Sequence, residues 1–106
     1  MKETPNLKYI KELSAGSEDF KQKLIAIIKR EFSEEKNEFL KNYNVMAYLK
    51  TAENVHKIKH KIGMFGFEEG YQIAMDFEEG LKVKDTSLYS KFILILESIE
   101  RFLKTL

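Results

Sequence analysis

The chain has 106 residues, 43% of them hydrophobic and 33% charged, with a formal net charge of +1, which is the balance of one globular domain and does not favour a phosphate backbone or an anionic membrane as partner. The absence of cysteine excludes a disulfide framework, a thiolate metal cage and a cysteine nucleophile, and leaves His56 and His60 as the versatile side chains. A single proline, Pro5, and only five glycines leave about a hundred residues without the punctuation that strands and turns need, so an all-α fold is expected.

The opening stretch MKETPNLKY has neither the apolar core of a signal peptide nor a transit-peptide composition, and a cytoplasmic location is the simplest expectation. Leu7, Ile10 and Leu13 recur every three residues and mark a short helix that ends at Ser14-Ala15-Gly16. Ser17 can cap the next helix, with Glu18 and Asp19 in the first turn where the helix dipole favours negative charge. Phe20, Leu24, Ile27, Ile28 and Phe32 then predict one buried face. Phe39 and Leu40 carry the helix past the polar stretch from Glu34 to Glu38, as far as Asn42-Tyr43-Asn44.

A third helix is expected to start near Asn44 and to turn Tyr48, Ala52, Val55, Ile58 and Ile62 inward. Gly63 and Gly66 bracket its end. Phe67, Ala74, Phe77 and Leu81 form the apolar side of a fourth helix, weakened slightly by Gly70 and Gly80. Leu88, Phe92, Ile95, Ile99, Phe102 and Leu106 alternate steps of four and three after a Thr86 or Ser87 cap, and so mark the fifth. Short connections make sequential helices neighbours, so a single domain over 1–106 is expected, an antiparallel up-and-down four-helix bundle with a short extra N-terminal helix. Burial of the apolar stripes at roughly 25 cal/mol per Å² would hold it together.

His56 lies about 100° round the third helix from the buried Val55, on a flank that solvent reaches. Lys59 and His60 follow at i+3 and i+4 and neighbour the imidazole, whereas Lys57 and Lys61 point further outward. The segment HKIKHK is strongly cationic, while Ile62 through Leu81 contains no lysine or arginine and five carboxylates. A solvent-reachable imidazole is a competent nucleophile near neutral pH, and a neighbouring ammonium would stabilise transferred negative charge. Lys59 suits that role; its stem can equally cover the core edge while its head reaches water.

In these residues the sequence resembles the histidine phosphotransfer domains of multistep two-component phosphorelays. Val55-His56-Lys57-Ile58-Lys59 is similar to the family's small or apolar residue, phosphorylated histidine, any residue, aliphatic and lysine, and Gly63, Phe65 and Gly66 match the glycine, apolar residue and glycine that follow. Tyr9 through Phe20 resembles the family's short first helix and the entry to its second. The resemblance implies His56 as phosphoacceptor through Nε2 and Lys59 as the phosphoryl-stabilising cation. Glu78 falls where some members place a glutamine or acid facing the histidine. It would orient the ring through Nδ1, or else be a solvated acid beside Asp76 and Glu79. His60 departs from the family, which has a small residue after the lysine. It would obstruct a partner, contact the phosphoryl group or compete as acceptor, but counting from it puts Gly63 at the lysine position, and a variant surface residue is the first reading.

The implied protein is a phosphocarrier without its own kinase site or cofactor. It would take a phosphoryl group from a receiver-domain aspartyl phosphate and pass it to a response-regulator aspartate, working as a monomer. Lys57, His60, Lys61, Gly63 and Met64 are the expected docking surface, with the lysines steering the acidic receiver site. Phe65 and Phe67 are read first as core. The alternatives are a helical metal site using Glu53, His56 and His60, which share a face at i, i+3 and i+7, and a receiver-docking adaptor that transfers nothing.

Overall fold

The longest of the helices sets the shape. The computed structural model describes residues 3–106, so the first two positions of MKETPNLKY lie outside the described residues. These form five helices, α1 (Lys8–Ser14), α2 (Glu18–Asn44), α3 (Tyr48–Met64), α4 (Glu68–Lys82) and α5 (Tyr89–Lys104), and contain no strand. The 27 residues of α2 span about 40 Å at 1.5 Å per residue, and the molecule measures 44 × 26 × 19 Å. No helix among the described residues is long and apolar enough to cross a membrane.

Local signals in the sequence account for some of the boundaries. The Ser17 hydroxyl accepts a hydrogen bond from the Phe20 N–H at 3.2 Å, satisfying one of the donors left free at the start of α2. Between α2 and α3, Met46 takes a positive φ of 57°, and α3 begins at Tyr48, later than the predicted start near Asn44. The expected hydroxyl cap of α5 is absent. Asp85 accepts the Ser87 N–H at 2.9 Å and holds the chain in a turn, so the helix starts only at Tyr89 with Leu88 as its N-cap.

The predicted stripes of α3, α4 and α5 are buried, apart from partly buried Tyr48, Leu88, Phe102 and Leu106. That of α2 is rotated from the expected one. Ile25, Ile28, Phe32 and Phe39 face the core, while Phe20 and Ile27 are exposed and Leu24 is half-buried. The apolar pairs Leu24-Ile25 and Ile27-Ile28 offer two stripes about 100° apart, and the position of the neighbouring helices selects between them.

α3 packs most extensively on α4 and next on α2; α4 also meets α5, and α1 lies on α2. Aromatic side chains tie α2, α4 and α5 together. The Phe39 ring lies 5.1 to 6.2 Å from those of Tyr43, Phe77, Tyr89 and Phe92, contacts that add about 0.5–1.5 kcal/mol each beyond burial. Lys36 of α2 is ion-paired with Glu100 of α5. Gly70, expected only to weaken α4, occupies a close crossing, where a Cβ would stand 3.1 Å from Ile95 and 3.2 Å from Ile62.

Candidate functional site

Chain reversal between α3 and α4 brings the reactive groups together. Gly66 adopts φ 67° there, a conformation that glycine reaches without strain. His56 stands nine residues before Phe65 and Glu78 eleven after Phe67, so the two side chains meet roughly 14–17 Å from the turn. The helical period alone places Lys59 beside His56.

Glu78 is the centre of the cluster. Its side chain is only 10% exposed and accepts from Lys59 Nζ at 3.0 Å and from His56 Nδ1 at 3.1 Å. Burial pushes the Glu78 carboxyl up, but the hydrogen bond and charge of Lys59, assisted by His56, outweigh this and hold it below the usual carboxylate range. A carboxylate accepts hydrogen bonds and donates none, so this contact favours the ring proton on Nδ1 and the lone pair on Nε2, against the Lys59 ammonium 3.4 Å from the same nitrogen. The His56 side chain is 51% exposed.

Lys59 differs from the flexible surface cation expected. It is buried, fixed to Glu78, 3.4 Å from His56 Nδ1, and 5.8 Å from the centre of the Tyr71 ring. His60 takes an unexpected place: its Nε2 lies 3.3 Å from Nε2 of His56, with the ring centroids 4.8 Å apart and the planes at 88°. With the His56 proton on Nδ1, the proton between the two Nε2 atoms belongs to His60, which donates it to the His56 lone pair.

The expected docking residues divide. Lys57 and Gly63 are exposed and Met64 is half-buried; Gly63, Met64 and His60 form a small surface recess with Tyr9. Lys61 does not point outward as predicted. Its ammonium lies 2.9 Å from Glu35 and 3.4 Å from Glu31, because α2 covers that flank of α3. Phe65 and Phe67 are core. The Glu53, His56 and His60 set is not assembled, since no three His, Cys, Asp or Glu side chains converge among the described residues.

Beside His56 opens a groove of about 560 Å³, walled by Leu49, Ala52 and Glu53 of α3 and by Glu78 and Lys82 of α4. Leu49 and Lys82 had no place in the sequence reading. The i, i+4 spacing of Glu78 and Lys82 was a signal for the latter, whose Nζ is 2.9 Å from Glu79 and 3.9 Å from Glu78. Nothing in sequence marked Leu49, which is 68% exposed. Comparison of the chain with models of known protein families, with curated proteins and with solved structures gave no match.

Proposed function

We propose that the protein is a phosphocarrier of the histidine phosphotransfer kind, an up-and-down four-helix bundle with α1 as a short lid, in which His56 is the phosphoacceptor. The observation that carries the reading is the held imidazole. A carboxylate on Nδ1 favours one tautomer of a half-exposed ring and keeps the nucleophilic lone pair on Nε2, from which the His60 N–H turns away before attack. The resemblance of Val55 through Lys59 and of Gly63 through Gly66 to that family supports the same assignment.

The Nε2 lone pair attacks the phosphorus of a receiver's aspartyl phosphate, the N–P bond forms, the P–O bond breaks, and the aspartate leaves as carboxylate. The Nδ1 proton stays on the ring, and Glu78 stabilises the positive charge that the ring gains. Lys59, bound to Glu78, holds that carboxylate in place and keeps it ionised. The reverse attack, by the aspartate of a second receiver, empties the site. A catalytic metal in such transfers belongs to the receiver, so the proposed partners are receiver domains of hybrid kinases and response regulators. Leu49 and the exposed part of Lys57 offer them contact around the groove.

Incubation with a phosphorylated receiver, followed by mapping of acid-labile phosphate, tests the assignment. The label is expected on His56. A His56→Gln protein that still carries it would sink the proposal.

A further inference from the structure

The two histidines meet at a spacing that suits more than a hydrogen bond. Their Nε2 atoms are 3.3 Å apart. Two ligand nitrogens at about 2.0–2.1 Å from a tetrahedral ion are separated by about 3.3–3.4 Å, so the pair already has the bite of a metal chelate. One turn of α3 supplies it, through His56 at i and His60 at i+4.

An independent contact points the same way. A metal-binding imidazole is held by a carboxylate on its other nitrogen, which fixes its tautomer and raises its basicity, and His56 Nδ1 has Glu78 at 3.1 Å. Of the nearby cations among the described residues, only Lys57, exposed beside His56, opposes a bound ion without a carboxylate to answer it. Lys59 is answered by Glu78, and Lys61 by Glu31 and Glu35. With no third His, Cys, Asp or Glu converging among the described residues, the other coordination positions would be taken by water.

We propose that His56 and His60 form a two-imidazole clamp for a borderline divalent cation, with Zn²⁺ as the test ion, and that the clamp silences His56 as a phosphoryl acceptor. His56 already presents its Nε2 lone pair; His60 moves its ring proton from Nε2 to Nδ1, so binding to the neutral rings releases no proton. The lone pair that holds the ion is the one that attacks phosphorus, so ion and phosphoryl group exclude one another. The clamp stands on the geometry alone, whereas its silencing effect rests on the phosphocarrier reading.

Calorimetric titration of the chain with ZnCl₂ at pH 7.5, alongside long-range ¹H–¹⁵N spectra of the imidazoles, tests the clamp without any phosphotransfer. One-to-one binding is expected, with both Nε2 resonances shifted. His60→Ala and His56→Gln should each weaken it at least tenfold, and Glu78→Gln about tenfold through the lost hold on Nδ1. No binding at millimolar zinc, or a His60→Ala protein that binds as tightly as the native one, would overturn the clamp. The rate of phosphorylation by one receiver is then compared with and without saturating zinc. At least a tenfold fall in the native protein that disappears in His60→Ala supports silencing; an unchanged native rate overturns it. A chain that binds zinc through both rings yet never accepts phosphate refutes the phosphocarrier reading and the silencing together, and leaves the clamp standing.

Discussion

Two lysines on α3, two residues apart in sequence, are each bound to carboxylates, and they do different work. Lys59 reaches α4 and shares Glu78 with His56; Lys61 reaches α2 and lies between Glu31 and Glu35. The bonding distances are alike, 3.0 Å for Lys59 to Glu78 and 2.9 Å for Lys61 to Glu35. What separates them is the imidazole. On the α4 side the carboxylate has a second duty, which is to set the tautomer of an exposed ring; on the α2 side the ions join two helices and touch nothing reactive. A basic cluster near a histidine is therefore a poor measure of the charge available to a partner.

The harshest way to break this contrast is to remove Glu78. Glu78→Ala leaves the Lys59 ammonium buried and unpaired and the His56 ring free to turn, and a loss of about 3 kcal/mol is expected in urea unfolding, together with at least tenfold slower phosphotransfer. Equal loss in Lys61→Met would erase the distinction. Lys59→Ala comes next: transfer should slow several-fold while the helical circular-dichroism signal is retained, and unchanged kinetics would reduce Lys59 to a packing residue. Lys61→Met should cost less, about 1–2 kcal/mol, because Glu31 is partly exposed and can turn to water, while the less exposed Glu35 loses its closer partner. Its transfer rate should stay within twofold of native, and a larger fall would restore Lys61 to the docking surface.

The finest test uses pH. The Glu78 carboxyl is depressed in the folded protein below its ordinary 4.5, so its stabilising contribution is complete above that value and is lost as pH falls through the lower folded one. The stability gap between the native protein and Glu78→Gln should be level above about pH 5 and should shrink below it, as read from urea midpoints. A gap that stays constant into acid would show that the carboxylate charge contributes nothing.

Legibility in the sequence followed how local the cause was. The inner positions of the α3 and α5 stripes and the Ser17 cap depend on neighbours three or four residues away, and they stand as read, whereas Tyr48, Leu88, Phe102 and Leu106 at the ends are only partly buried. The same holds for His56 beside Lys59. The α2 face depended on which of two apolar stripes met α3, and that choice is tertiary. Lys61 failed for the same reason: a helical wheel shows which way a side chain points, not that another helix carrying Glu31 and Glu35 lies there. Thr86 and Ser87 were credible caps, but Asp85 had already claimed the Ser87 N–H. Glu78 had two open readings among its acidic neighbours, and only the return of the chain at Gly66 brings it to His56.

That return is itself fastened. The Asn6 N–H donates to the Phe65 carbonyl at 2.7 Å, and the Glu3 carboxylate accepts the Glu69 N–H at 2.7 Å. A slip of one residue in the turn would swing Glu78 by about 100° round its helix and unhook the ring from its carboxylate. The segment before α1 thus works as a clasp on a long lever, in which a few residues far from His56 help to hold two helices in the phase that sets Glu78 against its ring. Trimming that segment is expected to loosen the His56 ring without removing Glu78 or Lys59.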